Sequence, residues 1–167
     1  IGRSFQITNV FPNLTVLENV RLAIQSQAKI RYQMLVHFLS YKKFIDKAYE
    51  ILEKVYLEDK ANALAINLAH GEKRKLEIAR AMATRPKVLL LDEPAAGMNE
   101  SETQDLMDSI KIIREKTGVS ILLIEHDMNL VLGISERLVV LNYGEILAEG
   151  NPREVISNEE VVKAYLG

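Results

Sequence analysis

Val88-Leu89-Leu90-Leu91-Asp92-Glu93-Pro94 is the stretch around which the chain is arranged. Four consecutive apolar residues run straight into two carboxylates and a proline. So short an apolar run, bounded by Pro86 and Pro94, reads as a strand buried on both faces, as in a parallel sheet. Asp92 and Glu93 then fall at its carboxyl end, where open α/β sheets place their ligands. Two readings stand at this point: a strand whose polar end simply meets water, or a catalytic edge.

The flanking sequence supplies helices and more strands. Upstream, residues 71–84 carry Leu76, Ala79 and Ala83 on one helical face. Downstream, Asn99 with Glu102 three residues on forms a capping box for a helix to about Lys116, and Gly118 ends it. Residues 119–124 are a second apolar run that also ends in polar residues, Glu125, His126 and Asp127. Asp127 can cap a short helix through Ile134. Leu138-Val139-Val140-Leu141 reads as a third strand that Tyr143-Gly144 turns into Ile146-Leu147-Ala148. Asn151-Pro152 and Asn158 mark two last helix starts. Strands alternating with helices predict a βαβ arrangement.

The first half is largely helical. A short strand pattern covers residues 1–6, Phe11-Pro12-Asn13-Leu14 makes a turn, and Thr15 with Glu18 is a capping box. Leu17, Val20 and Ile24 follow at helical spacing. Phe44, Ala48, Ile51, Leu52 and Val55 set out another helix over residues 41–56. Residues 28–40 have no clean period and read as helix or loop. Lys73, Arg74 and Lys75 read as a solvated helix face.

The 167 residues suit one compact core with a subdomain. A net charge of −2 gives no electrostatic argument for nucleic acid or an anionic membrane surface. Cysteine is absent, which removes disulfides, thiol nucleophiles and thiolate metal sites. No apolar run approaches the ~18 residues of a membrane span.

Two strand ends therefore deliver Asp92, Glu93 and His126 to one sheet edge. An aspartate there can hold Mg²⁺ through water, and a neighbouring glutamate can orient or deprotonate an attacking water. A histidine on the next strand end can donate to charge developing on a phosphoryl oxygen. His37 and His70 have no such setting. The chemistry suggested is phosphoryl transfer to water.

These motifs resemble the ATP-binding cassette (ABC) proteins over essentially the whole chain. Leu68-Ala69-His70-Gly71-Glu72 stands at the family's signature motif, followed by Leu76-Glu77-Ile78-Ala79-Arg80-Ala81. Residues 88–93 match the Walker B strand and catalytic glutamate, and Ala96-Gly97-Met98-Asn99 the D-loop. His126 matches the switch histidine and Gln6 the Q-loop glutamine. The resemblance is closest to the ATPase subunits of branched-chain amino-acid importers, through the D-loop, the Ile124-Glu125-His126-Asp127-Met128 switch and the Tyr165-Leu166-Gly167 end. It implies an α/β fold: a partial P-loop NTPase core of RecA-like, ABC type, with a mostly parallel sheet and an α-helical subdomain. Residues 1–7 are then the Q-loop strand, 8–70 the helical subdomain, and 71–167 the rest of the core.

The resemblance also implies roles. ATP and Mg²⁺ are the expected cofactors. Glu93, His126 and Gln6 are the expected catalytic residues, with Asp92 and Gln6 toward Mg²⁺. Leu68, Ala69, His70, Gly71 and Glu72 would meet the nucleotide of an opposite subunit, so the expected partners are a second nucleotide-binding subunit and membrane permease subunits. The permeases would dock on the helical subdomain, and Val10, Phe11, Pro12 and Leu14 are candidates for that groove or for core. The implied place is cytoplasmic, on the inner face of the cell membrane, with no nucleic acid expected. The signature departs from the usual serine, glycine and glutamine at Ala69, His70 and Glu72, and Asn99 replaces the D-loop aspartate. None of the eight glycines belongs to a G-x-x-x-x-G-K-[ST] loop. The resemblance places the start of the chain after that loop, so the expectation is a truncated chain that alone is inactive and self-associates. A non-catalytic docking module and a soluble ABC-type ATPase are the alternatives.

Overall fold

The structure is a computed structural model that describes residues 2–3, 10–27 and 34–165, with backbone only for 2–3 and 34–40. It divides into two units, Ile1–Ile124 and Glu125–Gly167.

The first unit is built on a parallel sheet of order β1-β2-β3, from Gly2–Arg3, Val88–Asp92 and Ser120–Ile124. In β2, Leu89 and Leu91 are fully buried, while Val88, Leu90 and Asp92 are partly covered. Register runs from Val88 opposite Ser120 to Asp92 opposite Ile124, so both strands end together. β3 is less covered than β2. Leu122 and Ile124 are 55% and 56% exposed on one face of the strand, and β3 has no strand neighbour on its far side among the described residues.

Among the described residues this unit also holds four α-helices, α1 (Val16–Gln27), α2 (Met34–Glu53), α3 (His70–Ala83) and α4 (Glu100–Thr117). Local signals set their ends. Thr15 and Glu18 bond reciprocally at the start of α1, as Asn99 and Glu102 do at α4. Gly118 closes α4 at φ +65. The helix expected from residue 41 begins at Met34, where the aperiodic segment hides it. The segment before α3 runs back along the start of α1, with Val16 N–H bonded to Ala63 O and Ala65 N–H to Leu14 O, both within 3.0 Å. Val16, Val20, Leu52, Val55, Leu76 and Ile78 are sealed from water, so the helices have one shared core.

The second unit holds α5 (Met128–Ile134), an antiparallel hairpin of β4 (Leu138–Asn142) and β5 (Glu145–Gly150), α6 (Pro152–Val155) and α7 (Glu159–Tyr165). Tyr143 and Gly144 both have positive φ, the conformation a two-residue hairpin turn requires. Val140, Val155 and Val161 form its small core, and Tyr165 Oη donates to Leu141 O at 2.5 Å. Asp127, Asn151 and Asn158 cap α5, α6 and α7 in turn. No described helix is long and apolar enough to cross a membrane.

Candidate functional site

β2 delivers Asp92 and Glu93 to the carboxyl end of the parallel sheet, and the chain then turns sharply. Glu93 takes a left-handed conformation, φ +43, that non-glycine residues seldom adopt. Its N–H donates to Ile124 O of the neighbouring strand at 2.9 Å. Its own carbonyl accepts from Ala96 N–H at 3.2 Å, and Met98 N–H reaches Ala95 O at 3.0 Å. The 93–98 loop is therefore a hydrogen-bonded turn that ends on the Asn99 cap.

Arg74 was expected on a solvated face and is not there. Its side chain is 8% exposed and that of Glu77 5%, and they pair at 2.8 Å. Nη2 of Arg74 also donates to Asp92 O at 2.6 Å and to Glu93 O at 3.2 Å. Lys75 is buried too, with Asp105 at 3.5 Å and the Tyr56 ring 5.8 Å away. The face is covered because α3 packs against β1 and α4 and lies beside the loop after β2, which a local charge pattern does not report. Arg74 is the residue that sequence reasoning missed. The available signal was an Arg–Glu pair at i, i+3 on a helix that also carries the core residue Leu76.

The N-terminus of α3 brings Leu68, Ala69, His70, Gly71 and Glu72 together. Leu68 is buried, whereas Ala69 and His70 are exposed. Ala69 has no hydroxyl to accept a helix N–H, so only half of a capping box is made: the Glu72 carboxylate accepts from Ala69 N–H at 3.0 Å. Lys60 bonds the same carboxylate. Burial pushes the Glu72 carboxyl up, but the Lys60 and Ala69 bonds and the charges of Lys60 and Lys75 together hold it below its ordinary value. At Gly71 an added Cβ would sit 3.1 Å from Glu102 Oε1, so a larger residue would require the Glu102 side chain, which accepts from Asn99 N–H, to shift.

His70 faces the same loop as Arg74. Its Nε2 lies 3.1 Å from Ala96 O, and Gly97, at φ +77, packs so closely that a Cβ would be 3.3 Å from that nitrogen. Asp92, Glu93, Ala96, Gly97, His70, Gly71 and Arg74 thus meet in one constellation of the first unit. Met98 and Asn99 continue it into α4. Gln6 lies outside the described residues. His126 belongs to the second unit, where its ring is 74% exposed, with Nδ1 3.9 Å from Glu125 Oε2. No group of three or more His, Asp or Glu side chains suited to a metal occurs among the described residues. A lone strand-end aspartate fits Mg²⁺ that keeps most of its waters.

A second surface lies beside α1. Buried Asn19 accepts from Phe11 N–H at 2.8 Å and donates to Phe11 O and Thr15 O, which fixes the turn before the helix. Phe11 and Pro12 are exposed, so for these two the core alternative falls away. The Arg80 guanidinium lies 4.9 Å over the Phe11 ring, and burial draws its pKa down against the opposing charge of Glu77.

Comparison with known proteins matches the family described as ABC transporter over residues 1–96. Residues 145–167 match a branched-chain amino acid ATP-binding cassette transporter family. The chain is 44% identical over 172 residues to the high-affinity branched-chain amino acid transport ATP-binding protein LivG of Escherichia coli strain K12, covering 100% of this chain and 68% of that one. Among solved structures, the ADP conformation of the ATP-binding cassette MJ1267 superposes with TM-score 0.77 at 30% identity, over 99% of this chain and 68% of that one. A dimeric post-hydrolysis state of the cassette MJ0796, bound to ADP and Pi, superposes with TM-score 0.72 at 29% identity, over 91% of this chain and 62% of that one.

Proposed function

The chain belongs to the ABC transporter family, and from that premise we propose that it forms part of the ATP-hydrolysing subunit of an importer for branched-chain amino acids. The cargo class is supported by the C-terminal match over residues 145–167 and by the names of the relatives. The observation that carries the catalytic reading is Glu93, fixed at the end of β2 beside Asp92 with its carbonyl clamped by Arg74.

In this reading Glu93 orients and deprotonates the attacking water, Gln6 takes the part its Q-loop resemblance implies, and His126 donates a hydrogen bond to charge developing on the phosphoryl group. Asp92 would hold Mg²⁺ through water, and the ion, when bound, offsets phosphate charge. Residues 68–72, at a helix N-terminus, meet the nucleotide held by a second subunit, with Ala96, Gly97, Met98 and Asn99 as the neighbouring loop. ATP then drives pairing of two such subunits on the inner face of the membrane. Exposed Phe11 and Pro12 are the surface we assign to the membrane-spanning partner. No phosphate-loop motif occurs within the 167 residues. We accordingly assign to these residues alone neither tight ATP binding nor turnover.

The test is ATP turnover by the complete subunit. Glu93→Gln should lower hydrolysis by about 10²–10⁴-fold and leave ATP binding intact, as removal of a general base does. Unchanged turnover in that variant would remove Glu93 from the mechanism.

A further inference from the structure

Two ties join one face of α3 to the loop after β2. His70 and Arg74 are four residues apart and so lie one above the other on the same side of the helix. His70 reaches Ala96 O at 3.1 Å, and Arg74 reaches the carbonyls of Asp92 and Glu93 at 2.6 and 3.2 Å. The far side of the Arg74 guanidinium is braced by Glu77 at 2.8 Å. A planar guanidinium engaged on both sides cannot swing without breaking several bonds at once.

The placement of those bonds is what matters. The two carbonyls belong to consecutive residues, and between them the backbone switches from extended β2 into the left-handed conformation of Glu93. Fixing both carbonyls fixes the two peptide planes that flank the Glu93 Cα, and so the direction in which the Glu93 side chain leaves the backbone. A buried ion pair is a poor device for stability, since well-packed apolar residues commonly do as well. Its worth here is positional.

We propose that Arg74, braced by Glu77, is a positioning residue that holds Glu93 in its working conformation and, together with His70, makes α3 and the 92–97 loop one rigid piece. The proposal rests on the reading of Glu93 as general base. Because residues 68–72 lead into the start of the same helix, displacement of that end on meeting a second subunit's nucleotide is carried to Glu93.

The test uses the complete subunit with its natural partners and compares Arg74→Lys, the double variant Arg74→Met/Glu77→Leu, and both again in a Glu93→Gln background. The double variant removes the two buried charges together, so it keeps the fold without stranding one of them. We expect its kcat to fall about 100-fold with KM and ATP affinity unchanged, the signature of a misplaced catalytic group. Arg74→Lys, which lacks the planar fork, should fall between that variant and the natural chain. In the Glu93→Gln background neither change should lower the residual rate further, because Arg74 acts through Glu93. A folded double variant with kcat within twofold of the natural chain overturns the proposal, as does an equal loss in both backgrounds. If Glu93→Gln alone leaves turnover untouched, the general-base reading fails and the proposal with it. If Glu93→Gln lowers turnover while the Arg74 variants do not, only the proposal fails.

Discussion

At the scale of single residues, charge placement governs the N-terminus of α3. Glu72 sits in the first turn of that helix, where its negative charge meets the positive end of the dipole, and Lys60 pairs with it. Its carboxyl is held below the ordinary value of 4.5. A depressed carboxylate contributes stability that is present above the unfolded pKa and lost as pH falls through the folded one. The melting temperature of the natural chain should therefore exceed that of Glu72→Gln near neutral pH, with the gap closing below pH 4.5. A gap that stays constant down to strongly acidic pH would show that the charge contributes nothing. Glu72 could be read from sequence as a signature-position residue. For Arg74 the sequence offered only the i, i+3 pairing with Glu77, because its burial depends on a loop eighteen positions away.

At the scale of elements, the helix starts were the most legible part of the chain. Asn99, Asp127, Asn151 and Asn158 each accept a backbone N–H two or three residues ahead, so a short window of sequence contains the whole interaction. Asn99→Ala should lower stability by about 1 kcal/mol, a fall in melting temperature of about 2–4 °C by differential scanning calorimetry. No loss would mean that tertiary contacts alone define the start of α4. The start of α2 at Met34 was illegible because residues 34–40 mix apolar and polar side chains without a period. β3 was half legible. Its apolar run marks it as a strand, but whether its faces are covered depends on elements distant in the chain, and β3, at the edge of the sheet among the described residues, leaves Leu122 and Ile124 open.

At the scale of the whole molecule, that edge has a measurable outcome. Leu122 and Ile124 project from one face of β3 at period two, and both are more than half exposed. Exposed edge strands with apolar side chains pair with further copies. The 167-residue chain should show a sedimentation coefficient that rises with concentration, and Leu122→Lys should flatten that rise. Concentration-independent sedimentation as a monomer would count against the edge as a contact surface. Of the candidate site, the place of Asp92 and Glu93 at a strand end was legible in the residue pattern, while Gly71 and Gly97 were singled out only through the family resemblance. The bonds that hold these residues in place were not legible, since they join positions far apart in the chain. The backbone at Glu93 has one further implication. A left-handed glutamate is tolerated at a cost of about 1–2 kcal/mol, and asparagine adopts that conformation more readily. Glu93→Asn should consequently melt slightly higher than the natural chain while losing its turnover. Selection for thermal robustness alone would erase Glu93, so its persistence in a library would report selection for activity.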